Sequence, residues 1–139
     1  MIIIDTNVVS ELMKKRPNPG VLDWIGRQKP GQIYLTAITV AEIRRGLALL
    51  PKGKRRTGLE QAFDHFLELG FKERILSFTP ATAPIYAPIS RARIEAGLGV
   101  GELDLLIAAI ASEHDAAIAT RNTGDFEQTG LRLFNPWLD

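Results

Sequence analysis

The sequence contains no cysteine. That excludes a disulfide framework, a zinc–thiolate site and thiol catalysis, and it fits a reducing compartment. No stretch approaches the roughly 18 uncharged apolar residues of a membrane-spanning helix. The apolar run at the N-terminus stops at Asp5 and has no basic leader, so it does not read as a signal peptide. Cytoplasmic residence without a membrane partner is the expectation. No glycine-rich turn follows that run, so neither a dinucleotide fingerprint nor a P-loop phosphate cradle is present. An excess of one charge is lacking too. Lys and Arg total 17 against 16 Asp and Glu, giving a formal net charge of +1, so any nucleic-acid surface must be local. There is no internal repeat and no low-complexity tract.

What is present is ordinary globular composition, 45% hydrophobic and 24% charged over 139 residues, enough for one domain with a real core. The chain is organised around Met1-Ile2-Ile3-Ile4-Asp5-Thr6-Asn7. Three β-branched residues in a row predict a short strand with no exposed face, suited to the middle of a parallel sheet. The strand ends on a carboxylate, where open α/β sheets place their ligand crevice. Thr6-Asn7 can cap a helix through Val8, Val9, Leu12 and Met13. Asp5 itself either caps the turn or begins a hard-cation site.

Apolar runs predict further strands at 33–35, ending at Thr36, and at 75–78, 116–120 and 131–134. Between them lie helical patterns. Asn18-Pro19 opens one whose inner side carries Val21, Leu22, Trp24 and Ile25. Thr39-Val40-Ala41-Glu42 reads as a capping box leading into Ile43, Leu47 and Leu50. Residues 54–69 have helical spacing, closed by Gly70. Thr79-Pro80 opens a long helix with Ile85, Tyr86, Ile89, Arg93 and Ile94, in which Pro88 predicts a kink or a delayed start. A flexible link, 97–101, precedes a strongly apolar helix over 102–114, expected to lie against a sheet. Alternating strands and helices predict a parallel sheet covered on both faces.

Four carboxylates fall at structured junctions. Asp5 ends the first strand, Glu42 begins the helix after the second, Asp104 lies in the first turn of the apolar helix, and Asp125 follows the fourth strand by one loop. Each has a bland reading: capping-box partner for Glu42, dipole complement for Asp104, turn or cap for Asp125. Asn7, Thr120 and Asn122 read as polar supports or caps. Together the acids say more. Clustered carboxylates raise one another's pKa unless a cation neutralises them. An all-oxygen set suits Mg²⁺ or Mn²⁺, which can activate a water and stabilise charge at a phosphodiester.

The order Ile-Ile-Asp-Thr-Asn (3–7), Ile-Thr-Val-Ala-Glu-Ile (38–43), Asp-Leu-Leu-Ile-Ala-Ala (104–109) and Ala-Thr-Arg-Asn-Thr-Gly-Asp-Phe (119–126) resembles the PIN-domain family. Within it the chain looks like the VapC/FitB toxins of type II toxin–antitoxin modules. The resemblance runs from Met1 to Asn135-Pro136-Trp137. It implies a three-layer α/β/α sandwich with a central parallel sheet of about five strands. It matches Asp5, Glu42, Asp104 and Asp125 to the family's acidic quartet, and Thr6 and Thr120 to polar residues near the metal. It also implies a Mg²⁺-dependent endoribonuclease, a homodimer, inhibition by a cognate antitoxin, and a hetero-oligomer with that antitoxin on operator DNA. Glu102 is an extra acid, read as a solvated first-turn residue.

Basic residues cluster at Lys14-Lys15-Arg16 and at Arg44, Arg45, Lys52, Lys54, Arg55 and Arg56. Arg44, Arg45 and Arg121 are the candidate RNA contacts, against a reading as solvated charge. Two other functions compete. A haloacid-dehalogenase-type phosphatase also starts strand–Asp but wants a second Asp where Asn7 stands. A non-catalytic, antitoxin-bound co-repressor would have little need of four acids.

Overall fold

Every strand of the sheet runs parallel, which forces each connection to cross a face and cover it. The computed structural model describes residues 1–139. Five strands form the sheet in the order β3-β2-β1-β4-β5, with β1 at Ile2–Ile4, β2 at Ile33–Thr36, β3 at Ile75–Leu76, β4 at Ala117–Ala119 and β5 at Leu133–Phe134. The helices are α1 (Thr6–Leu12), α2 (Pro19–Gly26), α3 (Ala37–Ala48), α4 (Lys54–Gly70), α5 (Ala83–Glu95) and α6 (Glu102–Glu113), with a 3₁₀ turn at Thr123–Phe126. The strand order reverses at β1, which pairs with β2 on one side and β4 on the other, Ile4 lying opposite Ala119.

Side chains alternate across the pleat, so each central strand feeds two cores. Ile3 and Ile118 join Ile89, Leu105, Ile107, Ile110 and Phe126 under α5 and α6. Ile4, Leu35 and Ala119 join Val8, Val9, Val21, Trp24, Ile43 and Phe63 under α1 to α4. This is the expected three-layer sandwich. Truncating a fully buried residue such as Ile118 to Ala should cost about 2–5 kcal/mol.

Several boundaries differ from expectation, each for a local reason. The helix after β1 is capped by Asp5, whose carboxylate accepts from Thr6 N–H, so Thr6 and Asn7 are helical residues and not the cap. There is no capping box at Thr39. Strand β2 runs straight into α3, Thr36 is the N-cap, and its hydroxyl accepts from Thr39 N–H at 3.1 Å. Leu22 points outward, 47% exposed, while Val21 and Trp24 carry the buried side of α2. Helix α5 begins at Ala83, after a turn at Thr79, and includes Pro88. The edge strands β3 and β5 are two residues each, shorter than their apolar runs.

Candidate active site

Helices α3 and α6 run back against the strands, so their N-termini lie at the rim where the strands end. The rim carries Asp5 after β1, Thr120 after β4, the starts of α3 and α6, and the 3₁₀ turn with Asp125. Register sets Asp5 beside Thr120, and the Thr120 hydroxyl donates to Asp5 Oδ2 at 2.8 Å. Asn7 Nδ2 donates to the same oxygen at 3.3 Å and to Thr120 Oγ1 at 3.1 Å. Thr6 N–H donates to Asp5 Oδ1 at 2.8 Å. One helical turn into α3, Glu42 Oε1 accepts from the Thr6 hydroxyl at 2.9 Å. Glu42 therefore caps nothing; its hydrogen bond points into the site.

Asp104 sits at the third position of α6, behind a Gly101 cap. A Cβ at Gly101 would lie 3.0 Å from Asp104 Oδ2, so the carboxylate folds back over that glycine. Neither Asp104 nor Asp125 accepts a hydrogen bond from a protein donor.

Electrostatics join the four acids. Burial pushes the Asp5 carboxyl above the ordinary range, against the hydrogen bonds from Thr120 and Thr6 and with the charge of Asp125. Burial likewise raises Glu42, opposed by Thr6 and assisted by Asp5. Asp104 is pushed up to about 6, first by burial and then by the charges of Asp5, Asp125 and Glu42. The four acids are thus near enough at the switch point of the sheet to act on one another's charge. No three of these side chains are drawn together into a ligand group for a metal ion. The chemistry of the donor set, all carboxylate oxygen, is the kind a hard divalent cation takes.

The supporting residues divide. Thr6, Asn7 and Thr120 are wired to the acids as expected. Asn122 contributes its backbone, donating to Thr120 Oγ1 at 3.1 Å, and its side chain holds no acid. Glu102 is exposed, as expected. Arg121 lies at the rim, its N–H donating to Asn7 Oδ1 and its guanidinium 5.2 Å from the Trp137 ring centre. Arg45 is near enough to lower Glu42. Arg44 is turned away, paired with Asp64 of α4 at 2.5 Å and packed over Phe63. A groove of about 720 Å³ leads from Thr6 and Glu42, between α1, α3 and α4, to Lys14, Lys15, Lys54 and Arg55. Of these cations only Lys14 has a carboxylate partner, Glu11 at 3.2 Å.

Arg93, which helical spacing places among the apolar positions of α5, is polar machinery. Arg93 is 4% exposed and binds the backbone on which both Asp104 and Asp125 stand. Its signal was a cation four residues after Ile89 on the inward face.

A parallel α/β sandwich with four interacting carboxylates at its switch point defines the class: an α/β domain with an acidic centre at the strand ends. The profile of the PIN domain matches residues 2–131, and the chain belongs to the PIN-domain family. It is 42% identical over 137 residues to the VapC ribonuclease Y4jK of Sinorhizobium fredii, covering 99% of this chain and 98% of that protein. It is 40% identical to Toxin FitB of Neisseria gonorrhoeae over the whole of both chains. A crystal structure of FitAcB from the same organism superposes with a TM-score of 0.92, at 40% identity and full coverage of both chains.

Proposed function

We propose that this chain is a divalent-cation-dependent endoribonuclease and the toxin of a type II toxin–antitoxin module. The observation that carries the reading is the convergence of Asp5, Glu42, Asp104 and Asp125 in a member of this family, with Asp104 raised by burial and then by the charges of the other three. A relative bearing the name ribonuclease and one bearing the name toxin, each aligned end to end, support it.

Asp5, Glu42, Asp104 and Asp125 would hold a Mg²⁺ or Mn²⁺ ion in this reading. When bound, the ion neutralises charge at the phosphodiester and lowers the pKa of an attacking water. The chain's own residues do the rest. Thr120, Asn7 and Thr6 lock the Asp5 carboxylate in one orientation. Thr6 also fixes Glu42, so both acids present free lone pairs in a defined direction. Asp125 and Glu42 accept protons from water in the crevice. Arg45, Arg121 and the cations of the groove take RNA phosphates on either side, which makes binding salt-dependent. The phosphatase alternative wanted an acid–base group at position 7; Asn7 is instead tied up by Asp5, Thr120 and Arg121.

The partners follow the same reading. A cognate antitoxin blocks the acids with an Arg or Lys side chain, Arg being suited to paired carboxylates. The toxin acts as a homodimer in the cytoplasm and joins its antitoxin on operator DNA. No helix is long and apolar enough to cross a membrane.

The test is digestion of total cellular RNA with Mg²⁺, with EDTA, and with Glu42→Gln, followed by analysis of the ends. Attack by water leaves a 5′-phosphate and a 3′-hydroxyl. EDTA-resistant cutting, 2′,3′-cyclic phosphate ends or a fully active Glu42→Gln enzyme would each refute the mechanism.

A further inference from the structure

Arg93 is a buried cation with no carboxylate partner. It lies in the last turn of α5, where a surface Arg would ordinarily cap its own helix's carbonyls. It does not. Nε and Nη2 both donate to the carbonyl of Gly99, at 3.0 and 2.7 Å. Nη1 donates to the carbonyls of Gly124 and Glu127, at 3.1 and 2.8 Å. The guanidinium thus ties three segments together: the end of α5, the glycine-rich link before α6, and the 3₁₀ turn.

Burying an unpaired charge is expensive, and an apolar side chain would fill this place at lower cost. The two segments it joins explain the charge. The link sets the start of α6 and so the place of Asp104; the turn carries Asp125. Neither carboxylate accepts a hydrogen bond from the protein, so only the backbone beneath each fixes their separation. We infer that Arg93 is a positioning residue, clamping the link and the turn through three backbone carbonyls so that Asp104 and Asp125 face a common cation at fixed spacing. This rests on the proposed cation site. Its positive charge also acts on Asp104, in the direction that keeps the carboxylate ionised. Lys cannot replace it, because one ammonium cannot span Gly99, Gly124 and Glu127 with the fork geometry of a guanidinium.

The test compares wild type with Arg93→Lys, Arg93→Met and Phe63→Leu, the last a core change on the opposite face of the sheet. Mn²⁺ binding is read by calorimetry, RNA cleavage as kcat and KM, and folding by thermal melting. Expected for both Arg93 variants is a loss of about 10- to 100-fold in Mn²⁺ affinity, the usual effect of removing an outer-shell partner. The loss in cleavage should fall on kcat with KM for RNA unchanged. Phe63→Leu should melt lower yet bind Mn²⁺ as wild type does. Arg93 variants that melt lower but bind Mn²⁺ and turn over normally would reduce Arg93 to a structural residue. Should neither Arg93 variant fold, the Arg93 Nε–H resonance of the wild type decides: it is expected to broaden on Mn²⁺ titration and to shift in Asp104→Asn, and an unmoved resonance overturns the inference. Failure of the ribonuclease reading looks different, because wild type would then bind Mn²⁺ and cut no RNA.

Discussion

On one side of the rim, Asp5 accepts hydrogen bonds from Thr6 N–H, Asn7 Nδ2 and Thr120 Oγ1, and Glu42 accepts one from Thr6 Oγ1. On the other, Asp104 and Asp125 accept none, and their placement comes from helix and turn backbones joined by Arg93. The first side holds its geometry through side-chain hydrogen bonds. The second has no such bonds, and burial together with the charges of Asp5, Asp125 and Glu42 raises Asp104 to about 6. Half of the centre is thus held by side chains, and half by the backbone beneath it. Substitutions on the two sides should fail differently.

The largest effect is expected from Asp5→Asn. Asn serves as an N-cap about as well as Asp, so α1 and the fold should survive. RNA cleavage should nonetheless fall on the order of 10³-fold, as when a main electrostatic group of a site is removed. Circular dichroism and cleavage kinetics on the same preparation check this, and a variant of near-normal activity would leave Asp5 as a cap alone.

Asp104→Asn should lose about 10²-fold in rate. Without divalent cations it should be more stable than wild type at neutral pH. A carboxyl whose pKa is raised on folding binds more protons folded than unfolded, so its contribution favours folding at low pH and opposes it as pH rises. The penalty grows from the ordinary value of 3.8 and is complete above about 6. Discounted for partial exposure, its removal is worth ~1 kcal/mol, or about 4 °C in Tm. Calorimetry across this pH range in EDTA should show the advantage at neutral pH and its disappearance below the ordinary value. Saturating Mg²⁺ should raise the Tm of wild type and leave the variant unmoved.

Thr120→Val sharpens the wired side. Val has the same shape, but the donor to Asp5 and the acceptor for Asn7 and Asn122 both vanish. A destabilisation of about 1–3 kcal/mol in urea melts is expected, with a loss of about tenfold in rate. Gly101→Ala probes the open side most gently. The new Cβ meets Asp104 Oδ2 at 3.0 Å and turns that carboxylate aside. Mg²⁺ titrations should shift to several-fold higher concentration, with the melting temperature nearly unchanged.

The strand ends were legible because apolar runs stop abruptly on polar residues at 5, 36 and 120, and the parallel alternation of strands and helices follows from the pattern. The acids were nameable for the same reason. The capping box expected at Thr39 and Glu42 is absent, and Glu42 accepts from Thr6 instead. Two threonines three apart, Thr36 and Thr39, both suit an N-cap, and a strand that enters its helix with no loop leaves pattern alone no means of choosing. Arg44 and Arg45 are adjacent in sequence, yet only packing turns Arg44 towards Asp64. Arg93 was visible as a cation at an inward helical position. Its purpose depends on the link folding back, which 97–101 does not announce: the run reads as flexible, and the structure pins it at Gly99.

The sheet order carries a temporal consequence. Strand β1 is central, but one of its two neighbours is β4, more than a hundred residues later in the chain. Pairings so distant in sequence form slowly, since the intervening loop must close before they contribute. At about 5–20 residues per second, Asp5 leaves the ribosome several seconds before Asp125. Until Ala117–Ala119 docks beside β1, Asp5 has no Thr120 beside it and the acids have no common crevice. The crevice is therefore absent for most of synthesis and is assembled as a single late event.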